Sequence, residues 1–282
     1  MGRVASFINL IAQKTLRRAS IGGNVYLPDT YFDYLKRILP IICLVATIQA
    51  SAQKGNTRIG VDLGIRNYNL IEDLANNNLY KGTSFSLAAP SVYWLKEAAF
   101  SSLSMGFYGA NLESEIENSD FTADLNEIEI AYQYLFRFYQ LGEISFYVGP
   151  GTRPYFKLYR QQFRGSNETT IVESSLVNLH ISAAASMQLK SWQVFFLSNM
   201  GVYQYWTKAI SFATSFDEYP FQTDWIGDFQ QLHFSLFGIY KLSDRWEFQP
   251  KYYLGYYKYQ FQNELTTEVL SQNWTIGFYY LL

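Results

Sequence analysis

Apolar and polar residues alternate with a period of two along much of the chain. In the segment EIEIAYQYLFRFYQ, the apolar residues at 128, 130, 132, 134, 136 and 138 share one parity, and Glu127, Glu129 and Arg137 share the other. The segments LVNLHISAAASMQL and NWTIGFYYLL repeat this pattern. Successive side chains of a strand point to opposite faces. Each segment therefore predicts a strand with one apolar and one polar face.

Ten segments show this alternation, and each is long enough to be a membrane-spanning strand, which needs about 9–11 tilted residues. They lie at about residues 57–68, 83–95, 98–110, 122–139, 143–160, 171–189, 192–210, 226–241, 245–261 and 269–282. The second segment is the weakest, because Pro90 removes a hydrogen-bond donor from the ladder. If it is not a strand, eight is the nearest even number.

The connections between these segments alternate in length. Four tight turns each follow a leucine, at Leu95, Leu141, Leu189 and Leu242, and longer polar stretches at about 69–82, 111–122, 160–171, 211–226 and 262–268 lie between them. Short turns at one end and long loops at the other are typical of outer-membrane barrels. The sequence therefore predicts an all-β transmembrane antiparallel β-barrel of about ten strands, with eight as the alternative, whose apolar face contacts lipid.

An apolar run near the N-terminus, LPIICLVATIQASAQ, predicts an export signal. It follows Lys36 and Arg37, is too short to span a bilayer as a helix, and precedes the small residues Ala50-Ser51-Ala52. A basic region, a short apolar core and a small-x-small site make a secretory signal peptide. We expect residues 35–52 to be removed, leaving 53–282 as the barrel. Residues 1–34 form an upstream leader that we expect not to be translated, with initiation near Leu35.

Composition narrows the function classes further. Six of the 22 basic and two of the 24 acidic residues lie within residues 1–52, so residues 53–282 carry a net charge of −6. This charge argues against nucleic-acid binding, which depends on clustered Lys and Arg. The only cysteine, Cys43, lies in the signal, which excludes disulfides and thiolate catalysis from the barrel. We predict no cofactor and no metal site. A soluble β-sandwich or lipocalin-like barrel would need an inward apolar face, and 18 % aromatic with 16 % charged residues favours the membrane barrel.

The signal ending in Ala-Ser-Ala-Gln, the turn spacing and the closing strand WTIGFYYLL resemble the outer-membrane β-barrel proteins of Gram-negative bacteria. The resemblance covers residues 53–282 and is architectural. Members of this group often end in an aromatic residue, whereas this chain ends in Leu282, with Phe278 and Tyr280 at alternate positions. The resemblance implies an outer-membrane location, contact with outer-membrane lipid and lipopolysaccharide, and insertion by the outer-membrane assembly machinery. It names neither a solute nor a surface partner.

The polar parity defines a set of residues expected to line the lumen. The set comprises Asp62, Arg66, Glu127, Glu129, Arg137, Arg153, Lys157, His180, His233, Lys241, Glu247 and Lys251. Eight strands leave room only for side chains, whereas wide aqueous channels need about sixteen. Because charges of both signs are present, we expect an ion-paired filling of the lumen, with a narrow selective conduit as the alternative.

Two His-x-Ser steps are the candidates for chemistry. His180 and Ser182, and likewise His233 and Ser235, share a strand face, so each histidine could assist deprotonation of its serine. Some outer-membrane lipid A deacylases use such a step, and HFSLFG resembles it. The parity, however, places both pairs in the lumen, away from lipid, and outer-membrane proteases carry histidine at a rim where this chain has none. We therefore expect a non-enzymatic channel or structural and interaction barrel, with a lipid-modifying enzyme as the alternative.

Overall fold

The fold is taken from a computed structural model. It describes residues 57–72, 76–96, 98–115, 121–163, 169–211, 216–261 and 265–282. The predicted leader (1–34) and signal peptide (35–52) lie outside the described residues. Within the described ranges, no helix is long and apolar enough to cross a membrane.

In these described ranges, twelve antiparallel strand segments form one closed sheet with ten wall positions. They are β1 (Thr57–Glu72), β2 (Asn76–Lys96), β3 (Ala99–Ser114), β4 (Phe121–Leu141), β5 (Ile144–Thr152), β6 (Tyr155–Phe163), β7 (Thr169–Leu189), β8 (Trp192–Ser211), β9 (Phe216–Trp225), β10 (Phe229–Lys241), β11 (Trp246–Phe261) and β12 (Leu265–Leu281). β5 and β6 share one wall position between β4 and β7, and β9 and β10 both follow the same edge of β8. Pairing of β1 with β12 closes the ring.

The predicted strand 143–160 is interrupted between β5 and β6, and β9 is an additional strand in the stretch 211–226 that the sequence predicted as a loop. β5 ends before Arg153 and Pro154, and proline has no N–H to give to the ladder. The Arg153 N–H instead donates to the Asn178 side-chain oxygen at 2.9 Å, and the Thr152 hydroxyl donates to the Asn178 carbonyl at 2.6 Å. Between β9 and β10, Gly227 turns the chain with a φ of 113°, a conformation that glycine adopts readily.

The predicted strand count of ten is confirmed, and the alternative of eight is wrong. The segment with Pro90 is a strand, because the register of β2 shifts between Ala88 and Ser91 against β3. This irregularity leaves Ala89 and Pro90 outside the ladder, so proline removes no hydrogen bond that the sheet needs.

The strands are staggered around the ring. The stagger is measured by following paired residues from strand to strand around the ring until the two directions meet on β7. Starting at Ile65 on β1 and passing through β12, β11, β10 and β8, the pairs end at Ala185 on β7. In the other direction, through β2, β3, β4 and β6, they lead to Glu173, twelve residues away. A stagger of this kind tilts the strands against the barrel axis, by about 35–45° in outer-membrane barrels. Interior residues at one depth therefore come from shifted positions on successive strands.

The four tight turns lie at one end of the barrel, here called the turn end, and the opposite end is the loop end. The prediction of long loops at that opposite end is wrong. The β1–β2 ladder continues to the pair Glu72 and Asn76, and the β11–β12 ladder continues to Phe261 and Leu265. The polar stretches that predicted loops are mostly strand, because polar residues there alternate with inward-facing apolar ones such as Leu70 and Leu112.

The outer face of the turn half is apolar. Exposed side chains there include Ile59, Val61, Leu63, Ile65, Phe136, Ile181, Phe196, Phe234, Ile276 and Phe278. A soluble barrel would bury these residues, so the competing soluble fold is excluded. The exposed band has the composition of the lipid-facing belt of a transmembrane barrel.

Candidate functional site

The interior of the barrel is the candidate site, and it is filled in three layers. An aromatic plug occupies the turn half, around Phe100, Tyr147 and Phe195. Charged and polar residues occupy the middle. Apolar clusters that include Tyr68, Leu112 and Leu125 on one side and Leu176 and Trp206 on the other fill the loop half.

The structure encloses most of the residues that the sequence predicted to line the lumen. Eight are buried, namely Asp62, Arg66, Glu127, Arg153, Lys157, His180, His233 and Glu247. The side chains of Glu129 and Lys251 are 12 % and 23 % exposed. Arg137 is only half-buried, opposite Tyr147 near the turn end. Lys241 is exposed, because β10 ends there at the mouth, so it does not belong to the enclosed set.

Arg66 is the centre of the middle layer. Its Nη1 lies 3.2 Å from Glu127 Oε1 and 3.6 Å from Glu129 Oε2. Its Nη2 donates to the Ser271 hydroxyl at 3.3 Å, and the guanidinium carbon lies 4.1 Å from the centroid of the Tyr108 ring. A buried charge is tolerated only where partners compensate it. These contacts compensate the charge of Arg66 from three strands, β4, β12 and β3, and leave its Nε without a hydrogen-bond partner.

Arg153 extends this layer across the lumen. Its Nε lies 3.6 Å from Glu129 Oε1, and its guanidinium carbon lies 4.8 Å from the centroid of the Tyr253 ring on β11. The Tyr253 hydroxyl is hydrogen-bonded to His233 Nδ1. The break between β5 and β6 is what directs Arg153 inward, since its N–H leaves the ladder for Asn178. A chain of contacts therefore links β1 and β4 to β10 and β11 through the middle of the barrel.

A second polar group lies nearer the turn end. Lys251 Nζ is 2.9 Å from Asp62 Oδ1 and donates to the Tyr279 hydroxyl at 2.6 Å. The Tyr279 hydroxyl contacts Asp62 Oδ2 at 2.8 Å and the Ser91 hydroxyl at 2.6 Å. The sequence prediction included Asp62 and Lys251 but missed Tyr279, Ser91 and, in the layer above, Tyr253. Tyr279 and Tyr253 share the inward parity of their strands, so the parity was the signal that could have found them. Ser91 follows the irregularity at Ala89 and Pro90, which shifts the inward parity of β2, so the alternation alone could not have found it.

The aromatic plug closes the turn end. The rings of Phe195 and Phe237 stack with centroids 4.9 Å apart, and Phe100 lies 5.4 Å from Phe195. The plug, which Leu135, Tyr147 and Leu197 complete, leaves no space for a water molecule. In the loop half, a cavity of about 20 Å³ is lined by Tyr155, Lys157, Ser174, Ser175, Leu176, Trp206, Tyr257, Tyr259 and Thr267. That is room for about one water.

Neither His-x-Ser step has a hydrogen bond between its histidine and its serine in the described residues. His180 is 4 % exposed, and its ring lies over Gly151, where an added Cβ would be 2.1 Å from Nε2. The Ser182 hydroxyl is buried and has no hydrogen-bond partner, so no histidine activates it. His233 uses Nδ1 for Tyr253 rather than for Ser235. Both histidines are enclosed within the barrel, away from the lipid-facing surface.

Comparison with known proteins identifies the fold. No family model matches the chain, and no curated protein matches it. Among solved structures, the outer membrane protease OmpT from Escherichia coli aligns over 80 % of this chain and 97 % of OmpT, with 6 % identity and a TM-score of 0.54. The translocator domain of the autotransporter NalP from Neisseria meningitidis aligns over 90 % and 99 % of the two chains, with 10 % identity and a TM-score of 0.44.

A third similar structure is the toluene transporter TodX from Pseudomonas putida, at 6 % identity, with 80 % of this chain and 90 % of TodX covered and a TM-score of 0.32. The resemblance to OmpT supports a shared fold and nothing about activity. The chain has the fold of the Gram-negative outer-membrane β-barrels, as the sequence predicted. Together with the exposed apolar belt, this fold places the protein in the outer membrane.

Proposed function

From an outer-membrane barrel with a filled interior, we propose that this protein is a closed, non-enzymatic barrel that supports and presents its loop end outside the membrane. The observation that carries this proposal is the continuous filling of the lumen. The plug around Phe195 and the layer around Arg66 and Arg153 follow one another along the axis. The apolar clusters around Leu125 and Trp206 in the loop half come next. A solute would have to displace all three layers.

The choice of a closed barrel over a narrow conduit is supported by the pairing of the interior charges. A conducting lumen keeps its charged groups hydrated, whereas Arg66 is 5 % exposed and is held by Glu127, Glu129 and Ser271. The filling is therefore part of the folded core, and breaking it costs stability.

The choice of a non-enzymatic role over a lipid-modifying enzyme is supported by the enclosure of Ser182 and of both histidines. An acyl chain in the outer leaflet contacts the outer belt, where Ile181 is 51 % exposed, and not the neighbouring Ser182, which is 0 % exposed. We further propose that the belt contacts outer-membrane lipid and lipopolysaccharide, and that the assembly machinery inserts the barrel.

Conductance of the purified barrel in planar bilayers tests the closed state. We expect no discrete current steps from the wild-type protein. A matched variant that combines Phe195→Gly, Phe237→Gly, Arg153→Gly and Trp206→Gly removes groups from all three layers while leaving the outer belt unchanged, and we expect it to conduct. Heat-modifiable migration on a gel verifies that both proteins are folded. Regular current steps from the wild type would refute the closed barrel.

The non-enzymatic role has its own test. We expect mass spectra of lipid A from cells with and without the protein to be identical. An acyl chain that is lost when wild type is present, and retained with His233→Ala, would establish the lipid-modifying enzyme instead.

A further inference from the structure

Three interior residues from separate strands form a row across the wall. Ser182 on β7 is the register partner of Asn199 on β8, which is in turn the partner of His233 on β10. They are 0 %, 1 % and 8 % exposed. Direct cross-strand neighbours have Cβ atoms about 4.5–5.5 Å apart, so the three polar side chains lie side by side.

This row holds a concentration of polar atoms that no other side chain satisfies. Asn199 Nδ2 and Oδ1, the Ser182 hydroxyl and His233 Nε2 are all buried without a hydrogen-bond partner. Buried polar groups are almost always paired, and each exception needs an explanation such as an ordered water. An entire buried side-chain amide without a partner is a large exception.

The neighbouring positions explain why no side chain reaches these atoms. The row ends at a glycine on each side, since Gly149 on β5 is the partner of Ser182 and Gly255 on β11 is the partner of His233. On β8 itself, the next inward position after Asn199 is Gly201. These three positions therefore carry no side chain that could reach the row.

The chemistry of the row indicates what it binds. If the Tyr253 hydroxyl donates to His233 Nδ1, the neutral ring carries its proton on Nε2 and donates there. The row then offers donors at His233 Nε2 and Asn199 Nδ2, an acceptor at Asn199 Oδ1, and a hydroxyl that does either. None of these groups is charged, and donors and acceptors are balanced. Such a set matches a neutral molecule that both donates and accepts.

We propose that Ser182, Asn199 and His233 form an internal water-binding site, in which one or two ordered waters bridge the three side chains. A buried water makes about three hydrogen bonds to otherwise unsatisfied groups, and this row supplies them. The site belongs to neither His-x-Ser step, because it joins the serine of the first to the histidine of the second. It is independent of whether the barrel conducts.

Solution NMR of the barrel in detergent micelles tests the site directly. We expect cross peaks between long-lived water and the side-chain amide protons of Asn199. Ser182→Ala removes one bridging group and should weaken these cross peaks, while Ser175→Ala, whose serine already pairs with Thr207 at 2.7 Å, should leave them unchanged. Absence of the water signal in the folded wild type would overturn the proposal.

The sign of a stability change gives a second readout. Replacing a satisfied buried amide by an apolar residue of similar size destabilises a protein, whereas replacing an unsatisfied one is neutral or stabilising. With bridging waters present, Asn199→Leu should lower the folding equilibrium constant by about tenfold. A more stable Asn199→Leu barrel would show that the amide is dry, and would also overturn the site.

Discussion

The turn half and the loop half of the barrel place their apolar residues on opposite faces. On β1 in the turn half, Leu63 and Ile65 point outward and are 44 % and 55 % exposed. A few residues further along the same strand, Tyr68 and Leu70 point inward and are 2 % and 1 % exposed. The outward position between these pairs, Asn67, is polar and exposed.

The same reversal occurs on β4. In the turn half, Phe136 faces outward and is 48 % exposed, while Glu127 faces inward near the middle of the strand. In the loop half, Leu125 faces inward and is 2 % exposed, while Asp124 and Asn126 face outward and are exposed. Two strands therefore change the parity of their apolar residues at the same level of the barrel.

The solvent outside the wall accounts for this difference. An apolar outer face is stable against lipid, and a polar outer face with an apolar interior is stable against water. The loop half is thus built like a soluble barrel that rises above the membrane. The length of β4 and β7, 21 residues each, agrees with this, since about 9–11 residues suffice to cross a bilayer. The buried ion pairs lie close to the level of the reversal.

The largest expected effect is the loss of Arg66 from that level. Arg66→Ala leaves Glu127 and Glu129 in an enclosed interior without their shared partner. Removing one member of a buried ion pair costs about 3–5 kcal/mol, so we expect a strongly destabilised barrel. Urea unfolding in lipid vesicles, followed by the heat-modifiable gel shift, measures it. If Arg66→Ala unfolded at the same urea concentration as the wild type, the interior would be hydrated rather than enclosed.

The second expected effect compares leucine truncation in the two halves. Leu112 is 1 % exposed in the loop-half core, and a buried Leu→Ala substitution costs about 2–5 kcal/mol. Leu63→Ala is the matched control. Leu63 belongs to the outer belt that contacts lipid, so its truncation opens no cavity inside the barrel. The same vesicle unfolding assay compares the two variants. Equal losses would contradict the assignment of the loop half as a packed core.

The alternation along β4 and β7 was enough to predict the fold, because one residue in two is constrained by lipid along the whole membrane span. It also predicted that Arg66, Glu127 and Arg153 lie inside. The loop half was interpreted as loops, because its outer residues are polar and the search followed a single parity. The reversal between Ile65 and Tyr68 is visible in the sequence, and it predicts a strand that leaves the membrane.

The details of the candidate site were beyond the sequence. Which charges pair depends on the stagger of the ring, which brings Arg153 on one side of the lumen to Tyr253 on the other. The position of Arg153 depends in turn on the strand break before Pro154. The grouping of Ser182 with Asn199 and His233 requires the register of three strands, β7, β8 and β10.

The third expected effect locates the membrane boundary on one strand. Leu63→Arg puts a charge on the lipid face, which costs about 2–4 kcal/mol near the midplane and less towards the interface. Asn67→Arg changes the same face of β1 four residues higher, where the structure has a polar, exposed side chain, and should alter stability by about 0.5 kcal/mol or less. Folding yield into vesicles distinguishes them. Similar yields for both variants would remove the proposed boundary between the two halves.

The smallest expected effect concerns an ion pair on the outside of the loop half. Lys258 Nζ lies 3.4 Å from Glu268 Oε2, and their side chains are 42 % and 32 % exposed. Exposed pairs in water contribute about 0–1 kcal/mol, so Lys258→Ala should barely change the unfolding midpoint, in contrast to Arg66→Ala. Because salt screens exposed charges, the small difference should vanish at high ionic strength. A large loss of stability that persists at high salt would mean that this surface is shielded from water. The comparison of the loop half with a soluble barrel would then fail for β11 and β12.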